Sequence, residues 1–385
     1  MTDTVPPSAP VPAPAAAPPR RSRAWRWLAG AVGVLLLLAV GLLGTVWWAA
    51  HSADATAWLL ARVPGLKVTA PKGALMGQFS ASGVELKIPA TGTLRIDDIS
   101  WRGLRIERAP PGWNLRIAID RLRAGQVAWQ GEPGATTAPA KPPDDLRIPV
   151  EIAIAAVSIG ETRIGGADAT PVLDLQGALH LGAERGSVHR FDKATLSWGR
   201  MRVGASGQIA TEAPLQLEAH VEATQNAGPS SAAWSAIANA AGPLAAPLVQ
   251  ATVRATASEN RPVQALDVRA TVRPFEAWPL GDLELAAKSL DLSAFHPALP
   301  ATAFSGTAVA RTRGTDQPGV LTAELSNETP GRWDEGRLPL HALSLELRAR
   351  PSDLRALELQ AFTAQLGTPQ RSAGRTSVRL SSTFQ

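Results

Sequence analysis

From Leu66 onward the sequence keeps returning to a two-residue rhythm. Val84, Leu86 and Ile88 alternate with Glu85 and Lys87, and Leu94 and Ile96 with Arg95 and Asp97. Leu215, Leu217, Ala219 and Val221 alternate with Gln216, Glu218, His220 and Glu222. The same holds for Leu266, Val268, Ala270 and Val272 against Asp267, Arg269, Thr271 and Arg273, and for Leu343, Leu345 and Leu347 against Ser344, Glu346 and Arg348. Successive side chains of an extended strand point to opposite faces, so the pattern gives a mostly β chain whose sheet has one apolar and one solvated face. No amphipathic stretch is long enough to serve as a parallel crossover helix, which makes antiparallel pairing through short connections the simplest topology. The turn signals Ala124-Gly125-Gln126, Gly160-Glu161, Gly165-Gly166 and Gly281-Asp282 are expected to separate strands. Gly131 to Asp145 reads as a surface loop. Gln225 to Pro247, Ala-rich with Trp234 and Ile237, fits a short helix or a poorly patterned hairpin.

A sheet with one apolar face has to cover it. The inward positions are Val, Leu, Ile and many Ala, aromatic residues make up only 5% of the chain, and no division into sandwich-sized units is evident. An elongated, lengthwise-folded antiparallel or mixed sheet with an apolar groove inside accounts for this at least as well as two packed sheets. At the usual strand spacing, residues 66–385 would then form a rod on the order of 100 Å long. The alternation makes Val268, Val272, Leu285, Leu345 and Leu347 candidates to line the groove.

Ahead of the strands, Arg20, Arg21, Arg23 and Arg26 precede an uncharged run from Trp27 to Ala50. A helix rising 1.5 Å per residue over such a run crosses the roughly 30 Å hydrocarbon core of a bilayer. Basic residues beside a membrane span stay on the cytoplasmic side, so the N-terminus is expected inside and the bulk outside. Trp27 at one end, with Trp47 and Trp48 at the other, fall where indole rings sit among headgroups. The run is longer than the apolar core of a cleaved signal peptide, so residues 20–50 read as a retained single-pass anchor. Residues 1–19, rich in Pro and Ala, read as a disordered cytoplasmic tail. Residues 51–65 read as a short juxtamembrane helix, with Trp58, Leu59, Leu60 and Val63 largely on one face and Pro64-Gly65 as its end. This helix is expected to serve as a hinge or membrane-surface foot, or as a plain connector.

Chemistry is harder to find. Of the formal net charge of +5, the segment before Trp27 carries +3, leaving +2 for all that follows. Clustered Lys and Arg for a nucleic-acid backbone are missing there, so no nucleic-acid partner is expected. The chain has no Cys, which removes disulfides, thiolate metal ligands and a thiol nucleophile. Six His residues show no metal-ligand spacing. Ser206, within Gly204-Ala205-Ser206-Gly207, lacks the spacing of a nucleophile elbow and reads as a turn residue. Asp97-Asp98 and Asp144-Asp145 read as turn or edge charges, and Asn327-Glu328-Thr329 matches a glycosylation sequon by spacing alone. No catalytic, cofactor or metal residue is assigned, and the chain is not expected to be an enzyme.

The order of an anchor, a short helix ending in Val63-Pro64-Gly65-Leu66, then Gly73-Ala74-Leu75, Gly83-Val84-Glu85-Leu86 and Leu94-Arg95-Ile96-Asp97 is distinctive. It resembles the amino-terminal region of the TamB group of the AsmA-like family, inner-membrane components of the translocation and assembly module of Gram-negative bacteria. Trp278 to Leu283 and Leu290-Asp291-Leu292-Ser293-Ala294-Phe295 resemble segments that recur in the repetitive middle of that group. The resemblance implies a periplasmic β-rod whose groove carries phospholipid acyl chains toward the outer membrane or supports outer-membrane protein assembly, with an outer-membrane barrel protein as partner. A rival expectation from a different class is a structural or chaperone-like scaffold that binds outer-membrane proteins by its strand edges. Family members are usually longer and end in a distinct C-terminal domain without a counterpart here, so the chain reads as a fragment or truncated product.

Overall fold

The computed structural model describes residues 51–378, with breaks at 89–91, 109–114, 132–140, 165–169, 229–232, 256–262, 295–298, 313, 315–316, 351–352 and 369–370. The tail 1–19 and the expected anchor 20–50 lie outside the described residues, and with the anchor Arg20, Arg21, Arg23, Arg26, Trp27, Trp47 and Trp48; so does Gly165-Gly166. Among the described residues no helix is long and apolar enough to cross a membrane.

The first element is helix α1 (Ala53–Leu60). Ser52 caps it, its hydroxyl accepting the Ala55 N–H at 3.3 Å. Beyond Pro64, Gly65 takes a left-handed φ of +76° and its carbonyl accepts the Lys87 N–H at 2.9 Å, which turns the chain into the sheet.

Twenty strands follow among the described residues, all joined in one mixed sheet. Strands β1 (Leu66–Thr69) and β2 (Lys72–Gly73) both pair with β3 (Gly77–Ile88), and β3 pairs with β4 (Gly92–Arg108). Next come β5 (Leu115–Ile119) and β6 (Arg121–Gly131), which run end to end through a bend at Asp120. Together they lie antiparallel to β4 on one side and parallel to β7 (Val150–Ile164) on the other. From β7 the chain is a meander in which each strand pairs antiparallel with the next. It runs through β8 (Val172–Gly182), β9 (Val188–Trp198), β10 (Met201–Ala210), β11 (Gln216–Gln225), β12 (Trp234–Pro243) and β13 (Leu248–Ala255). It continues through β14 (Gln264–Val272), β15 (Leu280–Leu290), β16 (Phe304–Arg311) and β17 (Gly319–Asn327) to β18 (Leu340–Arg350), β19 (Asp353–Thr368) and β20 (Arg371–Val378).

The parallel step departs from simple antiparallel pairing, and the chain makes it without a described helix. Residues 141–149 lead into β7, which starts at the same end as β5. This lead-in is tied to the turn after β10: the Leu146 N–H donates to Thr211 O at 2.8 Å, and Arg147 reaches both Asp145 and Glu212, at 2.6 and 3.0 Å.

Some glycines expected at turns sit inside strands. Ala124-Gly125-Gln126 is the middle of β6 and Gly160-Glu161 the middle of β7. A Cβ on Gly160 would lie 2.8 Å from Gly125 O, so the two glycines permit a close approach of neighbouring strands rather than a reversal. Gly281-Asp282 opens β15 just after the turn, and Ser206 lies within β10. The undecided stretch 225–247 contains β12, a strand in unbroken register with both neighbours. Alanine favours helix by under 1 kcal/mol per residue, roughly, and two waiting strand edges override that preference.

Nearly every fully buried apolar side chain among the described residues is small. Apart from Pro247 and Pro330, only Phe79, Ile154 and Leu215 are larger than Ala in that set. The Val, Leu and Ile residues of the alternating strands are mostly half-buried, so this sheet is not sealed into a close-packed core in the way of a globular domain.

Candidate functional site: the apolar face of the sheet

Residues paired directly across neighbouring strands share a face, so the register shows what the alternation adds up to. One row runs Ile119, Ile154, Leu179, Phe191, Gly207, Ala219 and Ala240 from β5 and β7 to β12. It continues through Val249, Ala270, Leu283, Ala310, Leu321 and Leu347 to Leu359 on β19. Fourteen strands contribute and no charged or polar residue interrupts; at a strand spacing near 4.8 Å the row is about 60 Å long. A second row on the same face links Val221, Ala238, Ala251, Val268, Leu285 and Ala308, then Ala323, Leu345 and Phe362.

All five groove candidates lie on this face. Val268 and Leu285 are cross-strand partners and Leu345 belongs to their row; Leu347 belongs to the longer one. Val272 follows a register shift beyond Ala270 and pairs with Leu280. All five are half-buried. On β14 the flanking Asp267 and Arg269 are exposed, so the apolar side is the sheltered one although no described strand other than a sheet neighbour packs closely against it.

The opposite face is solvated and hydrogen-bonded within itself. Its Thr252 hydroxyl donates to Asp267 at 2.7 Å. His220 has one ring nitrogen 2.7 Å from Asn239 Oδ1 and the other 3.0 Å from Glu222 Oε1, which raises its pKa above the ordinary histidine value, the Asn239 bond contributing most. Ser206 stands opposite His220 in register, but both imidazole nitrogens are already engaged, so the pair is not arranged as nucleophile and base. A cleft of about 770 Å³ over β12 to β16 is lined by Asn239, Gln250, Asp267, Arg269 and Glu284 of this polar face, and also by Ile237 and by the groove candidates Val268 and Leu285. Among the described residues no cluster of His, Asp or Glu side chains could hold a metal ion.

Two features escape the alternation. Among the described residues, eight of the thirteen large exposed apolar side chains lie along a single rim, the one where β3 ends and β4 begins: Ile88, Ile164, Leu173, Trp198, Val263, Leu299, Trp333 and Leu366. Trp129 and Trp234, half-buried, stand at the same rim. A cluster of indole rings at strand ends is a sequence signal that could have revealed this boundary between apolar face and water.

The same rim is pinned by buried polar side chains. Asp291 Oδ1 accepts the Ser293 N–H at 3.0 Å, the Ser293 hydroxyl at 2.8 Å and the Thr302 N–H at 3.1 Å. Asn327, fully buried, accepts the Ala303 N–H at 2.9 Å and donates to Leu340 O at 3.0 Å, a staple between the β15–β16 and β17–β18 connections. The segment Leu290-Asp291-Leu292-Ser293 therefore closes a turn.

Comparison with family models, with curated proteins and with solved structures finds no match for this chain.

Proposed function

We propose that the chain is a TamB-type protein of the AsmA-like family: a non-enzymatic, inner-membrane-anchored periplasmic protein that takes phospholipid acyl chains on its apolar face. In this reading it supports lipid transport between membranes, outer-membrane protein assembly, or both, with an outer-membrane barrel protein as partner. The sheet is folded along its length into an elongated trough, residues 20–50 hold its base in the inner membrane with the N-terminus in the cytoplasm, and residues 66–385 are periplasmic.

The observation that carries this reading is the pair of uninterrupted apolar rows, half-buried and without a large-residue core. Hydrocarbon moved from water onto such a surface gains about 0.8 kcal/mol per methylene buried. An acyl chain leaving a bilayer is already dry, so its exchange onto the row is close to neutral, which suits a conduit better than a tight binding site. The indole-lined rim adds support, since such rings favour the boundary between hydrocarbon and water.

The test is a photo-reactive residue at Leu345 in the intact chain within cells. Phospholipid adducts are expected; adducts to protein alone, there and at Leu285, would overturn the conduit. Strand β20, paired on one side only among the described strands, favours the scaffold reading as the second choice. Adducts to nascent barrel proteins at this edge, with no lipid on the apolar face, would establish it.

A further inference from the structure

Helix α1 presents two unlike sides. Ala55 and Thr56 are buried, and the Thr56 hydroxyl accepts the Leu75 N–H at 3.2 Å. Leu75 O in turn accepts the Trp101 indole N–H at 2.9 Å, and that ring stacks on buried Phe79 with centroids 4.2 Å apart. The helix is thus locked through Leu75 to β3 and β4. On the other side Trp58 is 54% exposed, with the Arg62 guanidinium 3.8 Å above its ring, and Val63 is 43% exposed. No carboxylate of the described residues pairs with Arg62.

We infer that Trp58, Arg62 and Val63 form a foot that rests on the phospholipid headgroups of the membrane in which residues 20–50 are anchored, and so fixes the angle at which the sheet leaves that membrane. The inference rests on the anchored reading of the chain. The occupant follows from chain length: the apolar run ends at Ala50, three residues before α1 begins, so a span inside a bilayer leaves the helix no room to depart from its surface. The chemistry agrees. An indole and a valine suit the interfacial zone, and a guanidinium stacked on the indole is free to meet lipid phosphate. Because Thr56, Leu75, Trp101 and Phe79 link the foot to the first long strands, the contact orients the sheet rather than merely tethering it.

The absence of Cys allows a direct test in the full chain. Trp58→Cys, Val63→Cys and, as a distant reference, Trp333→Cys are labelled with a polarity-sensitive fluorophore and reconstituted into vesicles of phosphatidylethanolamine and phosphatidylglycerol. Labels at 58 and 63 should be quenched by nitroxide-bearing lipid, and iodide quenching there should be roughly threefold weaker than at 333. Equal iodide quenching at all three sites, in protein that floats with the vesicles, would overturn the foot while leaving the anchor intact. Failure to float would overturn both. Val63→Cys keeps the Trp58–Arg62 pair, so a folding defect confined to Trp58→Cys does not decide the result.

Discussion

Val268 and Leu285 face each other directly across β14 and β15, and their next partners outward in the row, Ala251 and Ala308, are both small. The two large side chains therefore stand in a shallow surface of alanines, half-exposed, instead of being enclosed. Replacing Leu285 by Glu should cost about 1–2 kcal/mol, well below the penalty for a charge in a sealed core, because the new carboxylate keeps access to water. Denaturant unfolding measures the cost, and a loss above roughly 4 kcal/mol would mean that the face is a closed core. The same substitution should abolish lipid adducts at Leu345, whose row it interrupts.

Asp291 holds three donors at one rim turn through a single carboxylate oxygen. Asp291→Ala leaves the buried Thr302 N–H without its acceptor and should destabilise by roughly 2–3 kcal/mol. Ser293→Ala removes only one hydroxyl donor and should cost less than about 1 kcal/mol. Hydrogen exchange at Thr302 reads the difference, and equal effects of the two substitutions would contradict this division of roles.

The contact between Gly160 and Gly125 makes a steric prediction. Gly160→Ala pushes a methyl to within 2.8 Å of a backbone carbonyl in the adjacent strand; the expected loss is about 1–3 kcal/mol. Gly204→Ala, inside β10 with open space where its Cβ would go, should change stability by less than about 0.5 kcal/mol. Thermal unfolding of the two variants side by side suffices as the check.

His220 provides a pH signature. Its protonated ring donates to Asn239 and Glu222, so its folded pKa lies above the ordinary value near 6.5. A raised folded pKa means that its favourable term is fully present below the unfolded pKa and is lost as pH rises through the folded one. An NMR titration should place the imidazole midpoint above the ordinary value. Asn239→Ala should lower it more than Glu222→Gln does, and an unshifted midpoint in the unaltered protein would refute the assignment.

How much of this was legible in the sequence depends on how local each feature is. In β11, β14 and β18 the two faces differ sharply in polarity, so each strand announces itself, and the place of Val268 and Leu345 on the apolar face follows. In β12 the contrast is inverted: alanines Ala236, Ala238 and Ala240 occupy the apolar face while Ile237 points outward at 47% exposure. Gly125 and Gly160 look like turns because each is judged alone, whereas each leaves room for a neighbouring strand: Gly160 for the backbone at Gly125, Gly125 for Asp97 and Asp98 of β4. The staples of Asp291 and Asn327 depend on connections between different hairpins, and no local pattern encodes that meeting. The parallel pairing of β7 with β5 and β6 is likewise a matter of which strand edges meet, and the alternation within each strand does not encode it.

The row from Ile119 to Leu359 has a kinetic meaning. Its corrugation is a difference of apolar side-chain size, widest between Gly207 and Phe191, with no charged side chain to act as a stopping point. A hydrocarbon held there by exclusion from water would be confined sideways yet nearly unhindered lengthwise, since the hydrophobic effect has no preferred direction. If acyl chains occupy it as proposed, such a surface would be a track without a gradient, and any net flow along it would have to be imposed at its two ends.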